Sequence, residues 1–378
     1  MIYLLVSDTK YRKAFDIANI LSLEFPQHHI MLGVESVSFF RKMKYRLTYG
    51  NKELVLLRSS KKELFEQDLD KLCKDYKNDC IIYIPVEEET TNYFCDYIES
   101  RSQTVFKYLL PKNDLYTLFR NKASLNEYCL ENGFEAPQKY LIPDFPNNAY
   151  PIILKPIIGS GSAGIIRLDK KNDYTEEIRN TITKEPYLAQ EMIPNGKDVL
   201  GAFYLCKEGE VIGAYTHKRI RTMPAEGGVT VCSKIGDNEL LLEQGRKLLQ
   251  HAKWNGLVML EFLYDPKTNT YKTIEANPRL WGSIMLSEFA GANLLKNYVN
   301  ICLDNDLSSV NINKNCYIRW PIIDIVGYLK SGLRIKRFWN KKDTCFINWT
   351  YSRMDRAILF LFFSVFSISN FKKILKRL

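Results

Sequence analysis

The nine cysteines of this chain include no CxxC pair, and only four histidines are present. An odd, scattered set of cysteines predicts buried free thiols in a reducing compartment. The N-terminal residues MIYLLVSDTKYRK lack the basic segment before an apolar run that marks a signal peptide. We therefore expect a cytoplasmic protein, with membrane association left open by its C-terminal tail.

The body of the chain lacks an excess of positive charge. Residues 330–378 hold 12 Lys/Arg and 2 Asp/Glu, whereas the other 329 residues hold 41 of each. A basic body that binds nucleic acid is therefore not predicted. The tail also contains the apolar run AILFLFFSVFSI at 357–368, which is too short to span a bilayer. It predicts either burial against the core or peripheral membrane contact through residues 353–378.

No glycine fingerprint follows the first predicted strand, so no dinucleotide site is predicted there. A strand at 2–6, a helix at 11–23 and a strand at 30–34 predict the β-α-β opening of a parallel sheet. Further along the chain, a continuous helix is predicted at 113–133 and a hairpin around residues 208 and 209. A length of 378 residues predicts two or three lobes. We expect a mixed α/β fold with a Rossmann-like N-terminal lobe over 1–111, a central domain over 112–303 and a basic, partly apolar region over 304–378.

A strand–turn–strand pattern at 256–282 is the centre of the functional prediction. Pairing of Tyr264 with Tyr271 or Lys272 in an antiparallel hairpin would set Glu261 opposite or next to Glu275. Side chains alternate along a strand, so Thr273, Glu275 and Asn277 are expected on one face. Glu261, Glu275 and Asn277 offer only oxygen ligands, which suits Mg²⁺. The alternative is a surface hairpin with two solvated glutamates, although residues 257–263 are apolar for a surface strand.

The segment GSGSAG at 159–164 matches the pattern GxGxxG, but the residues that follow are strand-like and not helical. It therefore predicts a hairpin tip whose backbone N–H groups approach phosphates, with Lys155 on the incoming strand adding positive charge. Neither a Walker sequence nor the HRD and DFG segments of protein kinases occur. The alternative is a tight turn that needs glycine for steric reasons.

The order of these features over residues 113–300 resembles the ATP-grasp superfamily, which includes biotin carboxylase, the large subunit of carbamoyl-phosphate synthetase and D-alanine–D-alanine ligase. The resemblance implies an ATP-grasp fold with a lid at about 136–190. It also implies ATP and one or two Mg²⁺ ions, or Mn²⁺ in their place, as cofactors. Arg279 resembles the arginine that stabilises the reacting phosphate, and Glu261, Glu275 and Asn277 resemble the metal ligands. The residues implied for nucleotide binding are Lys122, Lys155, Gly159, Ser160, Gly161, Ser162, Gly164, Gln190, Glu191, Met192, Ile193 and Asp198.

Within that set, the resemblance gives each group a role. Lys122 and Lys155 would hold phosphates beside the glycine loop, residues 190–193 would hold adenine, and Asp198 would hold the ribose. The implied activity is an ATP-dependent ligase that joins a carboxylate to an amine through an acyl phosphate and releases ADP and phosphate. A small-molecule kinase of the same superfamily and a non-catalytic ATP-binding regulatory module remain as alternatives.

The acceptor side of the site is less defined by sequence. Arg219 and Arg221, in the segment HKRIR, are expected either to bind the acceptor carboxylate or to form an exposed strand edge. Trp281 is expected either to line the acceptor pocket or to fill the core. Residues 87–89, all glutamate, are predicted to start a helix, where carboxylates are favoured, in preference to binding a ligand. Small-molecule substrates are expected, and self-association is left open.

Overall fold

The computed structural model describes residues 1–101, 104–146, 148–159, 164–194, 199–223 and 229–320, together with Arg356. These residues form three β-sheets of five, four and six strands. The five-stranded sheet is parallel, and the other two are antiparallel. The fold is therefore the mixed α/β type that the sequence predicts.

The first sheet comprises residues from the first third of the chain. Its strands are β1 (Ile2–Val6), β2 (His29–Val34), β3 (Glu53–Leu56), β4 (Cys80–Ile84) and β5 (Phe106–Lys107). The connecting helices are α1 (Arg12–Glu24), α2 (Phe39–Tyr49), α3 (Lys62–Asp75) and α4 (Glu88–Glu99). The strand order β3-β2-β1-β4-β5 confirms the predicted β-α-β opening. The order reverses between β1 and β4, and parallel α/β sheets bind ligands beyond the carboxyl ends of strands at such a point.

The helix predicted as one continuous stretch at 113–133 is divided at Asn121. Helix α5 (Asn113–Arg120) ends there, and α6 (Lys122–Glu131) begins at the next residue. Asn121 has an extended backbone, and its side chain accepts hydrogen bonds from the N–H groups of Ala123 and Ser124. An asparagine that satisfies two first-turn donors starts a new helix efficiently. The break places Lys122 at the first position of α6.

The second sheet has four antiparallel strands in the order β6-β9-β7-β8. These are β6 (Lys139–Tyr140), β7 (Ile152–Pro156), β8 (Ile166–Leu168) and β9 (Tyr187–Glu191), with α7 (Glu176–Ile182) between β8 and β9. Leu154 of β7 pairs with Ile166 of β8, so the glycine loop connects two antiparallel strands as predicted. Residues 160–163 of that loop lie outside the described residues.

The third sheet has six antiparallel strands in the order β14-β13-β10-β11-β12-β15. The strands are β10 (Leu200–Lys207), β11 (Glu210–Met223), β12 (Val229–Ile235), β13 (Gly256–Asp265), β14 (Thr270–Asn277) and β15 (Tyr317–Arg319). The predicted hairpin around residues 208 and 209 is confirmed, and both Glu208 and Gly209 adopt positive φ. Positive φ at both central residues gives a turn whose twist matches that of the paired strands.

The six-stranded sheet is packed on both faces. Helix α8 (Glu239–His251) shares a buried cluster with Tyr204, Leu260 and Phe262. On the other face lie α9 (Ile284–Phe289) and α10 (Leu294–Cys302), in a core that also contains β1, β4 and α1. One continuous apolar core therefore holds the five-stranded sheet against the six-stranded sheet.

Trp281 belongs to that shared core. It is 2% exposed, its ring centroid is 4.6 Å from that of Phe203, and its Nε1 donates a hydrogen bond to the Tyr215 hydroxyl at 2.9 Å. Of the two expectations for Trp281, filling the core is therefore correct.

The cysteines in the described part of the chain are unpaired. All eight of them are free thiols, and six are buried.

No helix among the described residues is long and apolar enough to cross a membrane. The tail segment 353–378, apart from Arg356, lies outside the described residues, so its proposed membrane contact stays a prediction.

Candidate functional site

The hairpin of β13 and β14 brings two carboxylates together. Tyr264 pairs with Tyr271, and Glu261 pairs directly with Glu275, as the sequence predicts. Asn277 pairs with Met259, two positions from Glu261, and so lies on the face of the two carboxylates. Burial raises the pKa of Glu275, and the charge of Glu261 adds to this effect. The pair therefore favours a neighbouring cation.

A β-bulge at Ile274 alters the alternation of β14. Glu275 pairs with Glu261, and Thr273 pairs with the next residue of β13, Phe262. Ile274, between them, has no pairing partner on β13. Because one extra residue shifts the alternation by one position, Thr273 lies on the face of Phe262. The expectation that Thr273 shares a face with Glu275 is therefore wrong, and Lys272 takes the place on that face.

Two buried ammonium groups lie beside Glu275. Lys122 Nζ is 3.4 Å from Glu275 Oε1 and donates a hydrogen bond to the Gly159 carbonyl at 2.5 Å. Lys155 Nζ donates to the Ile274 carbonyl at 3.1 Å. Burial lowers the pKa of Lys155 to about 8, because the charge of Glu275 only partly offsets the loss of hydration. The N-terminus of α6, the end of the glycine loop and the hairpin of β13 and β14 thus meet beside these two ammonium groups.

Arg279 lies at the end of β14 and orients Asn277. Its Nη2 donates to Asn277 Oδ1 at 2.8 Å, and its Nη1 donates to the Leu280 carbonyl at 3.1 Å. Its Nε is also buried and has no hydrogen-bond partner among the described residues. The guanidinium group is therefore fixed at Asn277, with Nε available for an anion.

The two arginines of β11 are placed differently. Arg219 Nη2 is 3.3 Å from Glu261 Oε1. The register of β11 shifts on both sides of Arg221, so that Arg219 pairs with Ser233 and Arg221 pairs with the adjacent Cys232. Regular alternation, which would put both arginines on one face, does not hold here. The structure brings Arg219 to the carboxylate hairpin.

Residues implied for adenine binding line the four-stranded sheet. Gln190 pairs with Ile153, so its side chain shares a face with Lys155 two positions further along β7. Gln190 is 1% exposed, and its Nε2 has no hydrogen-bond partner within the described chain. A buried amide donor without a partner is unfavourable, which makes it a candidate ligand contact.

Glu191 links the two antiparallel sheets. Its carboxylate accepts hydrogen bonds from Lys272 Nζ at 2.6 Å and from the Gln138 N–H group at 2.9 Å. The N–H groups of Glu191 and Met192 donate to the carbonyls of Gln138 and Pro151. These two donors are therefore engaged within the protein, and Ile193 beside them is buried.

The glycine loop is described only at its ends. Gly159 has φ of 128° and Gly164 has φ of 74°, which are values that favour glycine. A Cβ atom at Gly159 would meet no described atom within 4 Å. The implied ligands Ser160, Gly161, Ser162 and Asp198 lie outside the described residues, so their roles stay predictions.

Sequence reasoning missed a third lysine at this site. Lys13 Nζ, on α1, lies 2.9 Å from Glu87 Oε1 and donates to the Leu280 carbonyl at 3.3 Å. Burial lowers the pKa of Lys13 to about 7, and the positive charge of Arg279 contributes. The contact between Lys13 and Leu280 joins residues 267 positions apart, so no local pattern could have indicated it.

Acidic groups follow the strands that flank the reversal of the five-stranded sheet. Asp8, after β1, has φ of 53° and accepts a hydrogen bond from Thr90 Oγ1 at 2.6 Å. Burial raises the pKa of Asp8, and the charge of Glu87 also raises it. Glu88 and Glu89 occupy the first turn of α4, as predicted, whereas Glu87 precedes the helix and faces Lys13. The rule for ligands at carboxyl ends of strands would have indicated Asp8 and Glu87.

The donor set fits a hard metal ion only in combination with a ligand. Within the described ranges, no three His, Cys, Asp or Glu side chains form one metal-binding group. Glu261 and Glu275 supply carboxylates, and Asn277 supplies an amide oxygen. Mg²⁺ is commonly held by one or two carboxylates together with phosphate and water oxygens, so the set fits such an ion bound with a nucleotide.

Part of the chain matches a known protein family. Residues 119–283 match the family model of the ATP-grasp domain. No curated protein matches the chain in a sequence search.

Solved structures with a similar fold include three enzymes. Biotin carboxylase from Campylobacter jejuni, as a complex with an ATP compound, superposes with a TM-score of 0.63 at 16% identity over 84% of this chain and 74% of that chain. The biotin carboxylase domain of Hydrogenobacter thermophilus 2-oxoglutarate carboxylase, in complex with MgADP, gives 0.64 at 14% identity over 84% and 73%. L-amino acid ligase from Bacillus licheniformis gives 0.59 at 16% identity over 84% and 78%.

At these identities the solved structures establish a shared fold, which extends beyond the matched domain into the N-terminal sheet. The family match adds the sequence relationship for residues 119–283. Residues 119–283 therefore match the ATP-grasp domain family, and the fold of the chain is similar to that of biotin carboxylase and L-amino acid ligase.

Proposed function

We propose that the chain is an ATP-dependent ligase that joins a carboxylate to an amine through an acyl phosphate and releases ADP and phosphate. The observation that carries this proposal is the direct pairing of Glu261 with Glu275, with Lys122 beside Glu275 and Arg279 holding Asn277. Phosphoryl transfer depends mainly on positioning and on stabilising charge, and this cluster supplies groups for both.

ATP would lie between the four-stranded and six-stranded sheets. Lys122 and Lys155 would bind its phosphates beside the glycine loop, and Gln190 would offer its unpartnered amide to the nucleobase end. We assign the ATP-grasp domain to 112–303 and its lid to about 136–190, because the four-stranded sheet lies within the second range. Ser160, Gly161, Ser162 and Asp198 complete the proposed nucleotide contacts.

The metal ligands would be Glu261, Glu275 and Asn277. One or two Mg²⁺ ions, or Mn²⁺, would neutralise the phosphates and orient the transferred group when bound. Arg219, at 3.3 Å from Glu261, balances the second carboxylate. The chain's own contribution is to hold these oxygen atoms on one face, with Arg279 fixing the Asn277 amide.

The acceptor would bind on the other side of Arg279. We assign the carboxylate to Arg279 and Lys13, whose charges lie together at the Leu280 carbonyl. A carboxylate oxygen would attack the γ-phosphorus, and the bond from that phosphorus to ADP would break. The amine would then attack the acyl carbon as phosphate leaves, and its proton would pass to a nearby base. Glu87, whose Oε1 lies 2.9 Å from Lys13 Nζ, and Asp8 are the acidic groups whose charges raise the pKa of Lys13.

Trapping of the acyl phosphate tests this proposal. The protein is incubated with ATP, Mg²⁺, a panel of amino acids and other carboxylates, and hydroxylamine. We expect hydroxamate and ADP for at least one carboxylate, and neither product with Glu275→Gln. Phosphorylated product without hydroxamate would instead identify a small-molecule kinase. ATP binding without any turnover across the panel would favour the regulatory module and contradict the ligase.

A further inference from the structure

We propose that α2 is a membrane-binding helix, which docks the protein through an exposed apolar arc onto a surface of anionic lipid. The helix spans Phe39–Tyr49 and reads FFRKMKYRLTY. Phe39 and Phe40 are 76% and 75% exposed, and Met43 and Leu47 are 49% and 44% exposed. Two adjacent phenylalanines that are three-quarters exposed are unusual on a globular surface, where large apolar patches mark interaction sites.

The apolar side chains form one continuous arc. Phe39, Met43 and Leu47 follow the spacing i, i+4 and i+8, and Phe40 lies beside them, so the four cover about 100° of the helix surface. An ordinary surface helix turns such an arc toward the core. Here the core-facing residues are Tyr45 and Tyr49, on the opposite side.

Those two tyrosines fix the helix in place. Tyr49 OH donates to the Thr9 carbonyl at 2.7 Å, and Thr9 Oγ1 donates to Tyr45 OH at 2.9 Å. The ring of Tyr49 also packs edge-on against Phe15 of α1. The outward apolar arc is therefore a property of a well-anchored helix, because its polar and aromatic partners lie on the buried side.

Basic side chains flank the arc on both edges. At about 100° per residue, Lys44 lies at one edge, and Lys42 and Arg46 lie at the other. Residues 36–52 contain five Lys/Arg and no Asp/Glu. Arg356 adds a further positive charge at the C-terminal end of α2, where its Nη1 lies 3.5 Å from the Tyr49 carbonyl. An apolar face bordered by Lys and Arg is the pattern of a helix that lies in a membrane interface.

The charges favour lipid over protein occupants. The buried centre of a protein interface is depleted in lysine, whereas lysine stems reach along a bilayer surface and keep the charge in water. A second copy of α2 would bring like charges together, which is unfavourable. The C-terminal residues 330–378 carry the chain's +10 excess, and Arg356 among them lies at the end of α2, so they add positive charge that anionic lipid would neutralise.

This docking would place the acceptor side of the site at the lipid surface. Thr9, which both tyrosines of α2 contact, follows Asp8 directly at the carboxyl end of β1. The carboxyl end of β1 therefore lies next to the buried side of the membrane-binding helix. The lipid contact itself is independent of the proposed ligase activity and is tested without it.

Flotation of the full chain with vesicles tests the proposal. Vesicles of phosphatidylcholine with phosphatidylglycerol are compared with vesicles of phosphatidylcholine alone. We expect binding to the anionic vesicles only, weakened by added salt. The double variant Phe39→Ser/Phe40→Ser should weaken binding at least about tenfold. The triple variant Lys42→Gln/Lys44→Gln/Arg46→Gln should weaken it about a hundredfold, from roughly a fivefold loss per basic residue.

The matched control is Leu141→Ser/Leu240→Ser, which removes two leucines that are 73% and 64% exposed on other parts of the surface. It should bind vesicles as the unchanged chain does. Equal binding by the Phe39→Ser/Phe40→Ser variant, or no binding by the unchanged chain, overturns the proposal.

Two further measurements on the Phe39→Ser/Phe40→Ser variant distinguish other occupants of α2. Removing exposed side chains should leave the Tm unchanged, whereas a fall of several degrees would show that the face is covered within the folded chain. Light scattering gives the mass with and without the substitutions. A dimer that the substitutions dissociate would make α2 a protein interface and overturn the lipid assignment.

Discussion

Lys122 Nζ lies 3.4 Å from Glu275 Oε1 and contacts the Gly159 carbonyl with the same ammonium group. One cation therefore neutralises a candidate metal ligand and holds the first residue of the glycine loop. In the proposed nucleotide complex, the same ammonium group would bind phosphate. Its transfer from Glu275 and Gly159 to phosphate would free the loop and the carboxylate at the moment when both acquire new partners.

The first prediction concerns the proposed metal ligands on the hairpin of β13 and β14. Glu275→Gln and Asn277→Ala should each lower Mg²⁺-dependent ADP formation at least about a hundredfold, because stabilisation of the reacting phosphate depends on oriented charge. Circular dichroism should show an unchanged fold. Glu243→Gln is the matched control, since Glu243 pairs only on the surface of α8 with Arg246 and Lys247. Full ADP formation by both hairpin variants would disprove the assignment.

The second prediction concerns pH. Burial lowers the pKa of Lys155 to about 8, so the side chain loses its charge as the pH rises through that value, well below the range of an exposed lysine. ATP binding should weaken above pH 8, by at most about tenfold per pH unit. Titration calorimetry from pH 7 to 9.5 measures this change.

Lys155→Arg tests the origin of that pH dependence. Arginine stays protonated throughout the range, so the variant should bind ATP with little change between pH 7 and 9.5. Lys247→Arg, on the exposed surface of α8, should keep the wild-type profile. A flat profile for the unchanged chain would show that Lys155 does not bind phosphate.

The third prediction concerns the acceptor. Lys13→Met should raise the KM for the carboxylate substrate at least about tenfold, because a charge-assisted contact is lost, while ATP affinity changes little. Lys10→Met is the control, because Lys10 lies just before α1, three residues from Lys13, and its side chain is half exposed. A parallel loss of ATP affinity would show that Lys13 supports the fold of the whole site and does not bind the acceptor.

The fourth prediction concerns the joint between the sheets. Gly256, at the start of β13, has φ of 90°, and a Cβ atom there would lie 2.1 Å from the Leu109 carbonyl oxygen. Gly133 has φ of 73°, but its Cβ would meet nothing within 4 Å. Urea denaturation should show a loss of about 1 kcal/mol for Gly133→Ala and several kcal/mol for Gly256→Ala. Equal losses would mean that the Leu109 segment moves freely.

Local sequence patterns predicted the elements that are determined by neighbouring residues. The pairing of Glu261 with Glu275 follows from a short turn and two apolar strands, so it could be found without the fold. The same holds for the turn at Glu208 and Gly209, where positive φ is required. Each of these depends on contacts within about twenty residues.

Other features depend on distant parts of the chain. The bulge at Ile274 cannot be recognised from the alternation of apolar and polar residues in the sequence. Because of it, Thr273 lies on the face opposite to the one expected. The approach of Lys13 to Leu280 requires the packing of α1 against α9. The helix break at Asn121 depends only on local sequence, because an asparagine before a helix is a recognisable N-cap. It was missed because Asn121 lies within an apparently continuous helical pattern.

The bulge at Ile274 also determines which mutations this protein tolerates. The acceptor for Lys155 at this point is a backbone carbonyl, so no side-chain substitution at position 274 removes it. Deleting Ile274 would leave the pairing of Glu275 and Thr273 with the partner strand intact and would remove the acceptor. The contact between the four-stranded sheet and the hairpin of β13 and β14 is thus insensitive to the identity of residue 274 and sensitive to the length of β14.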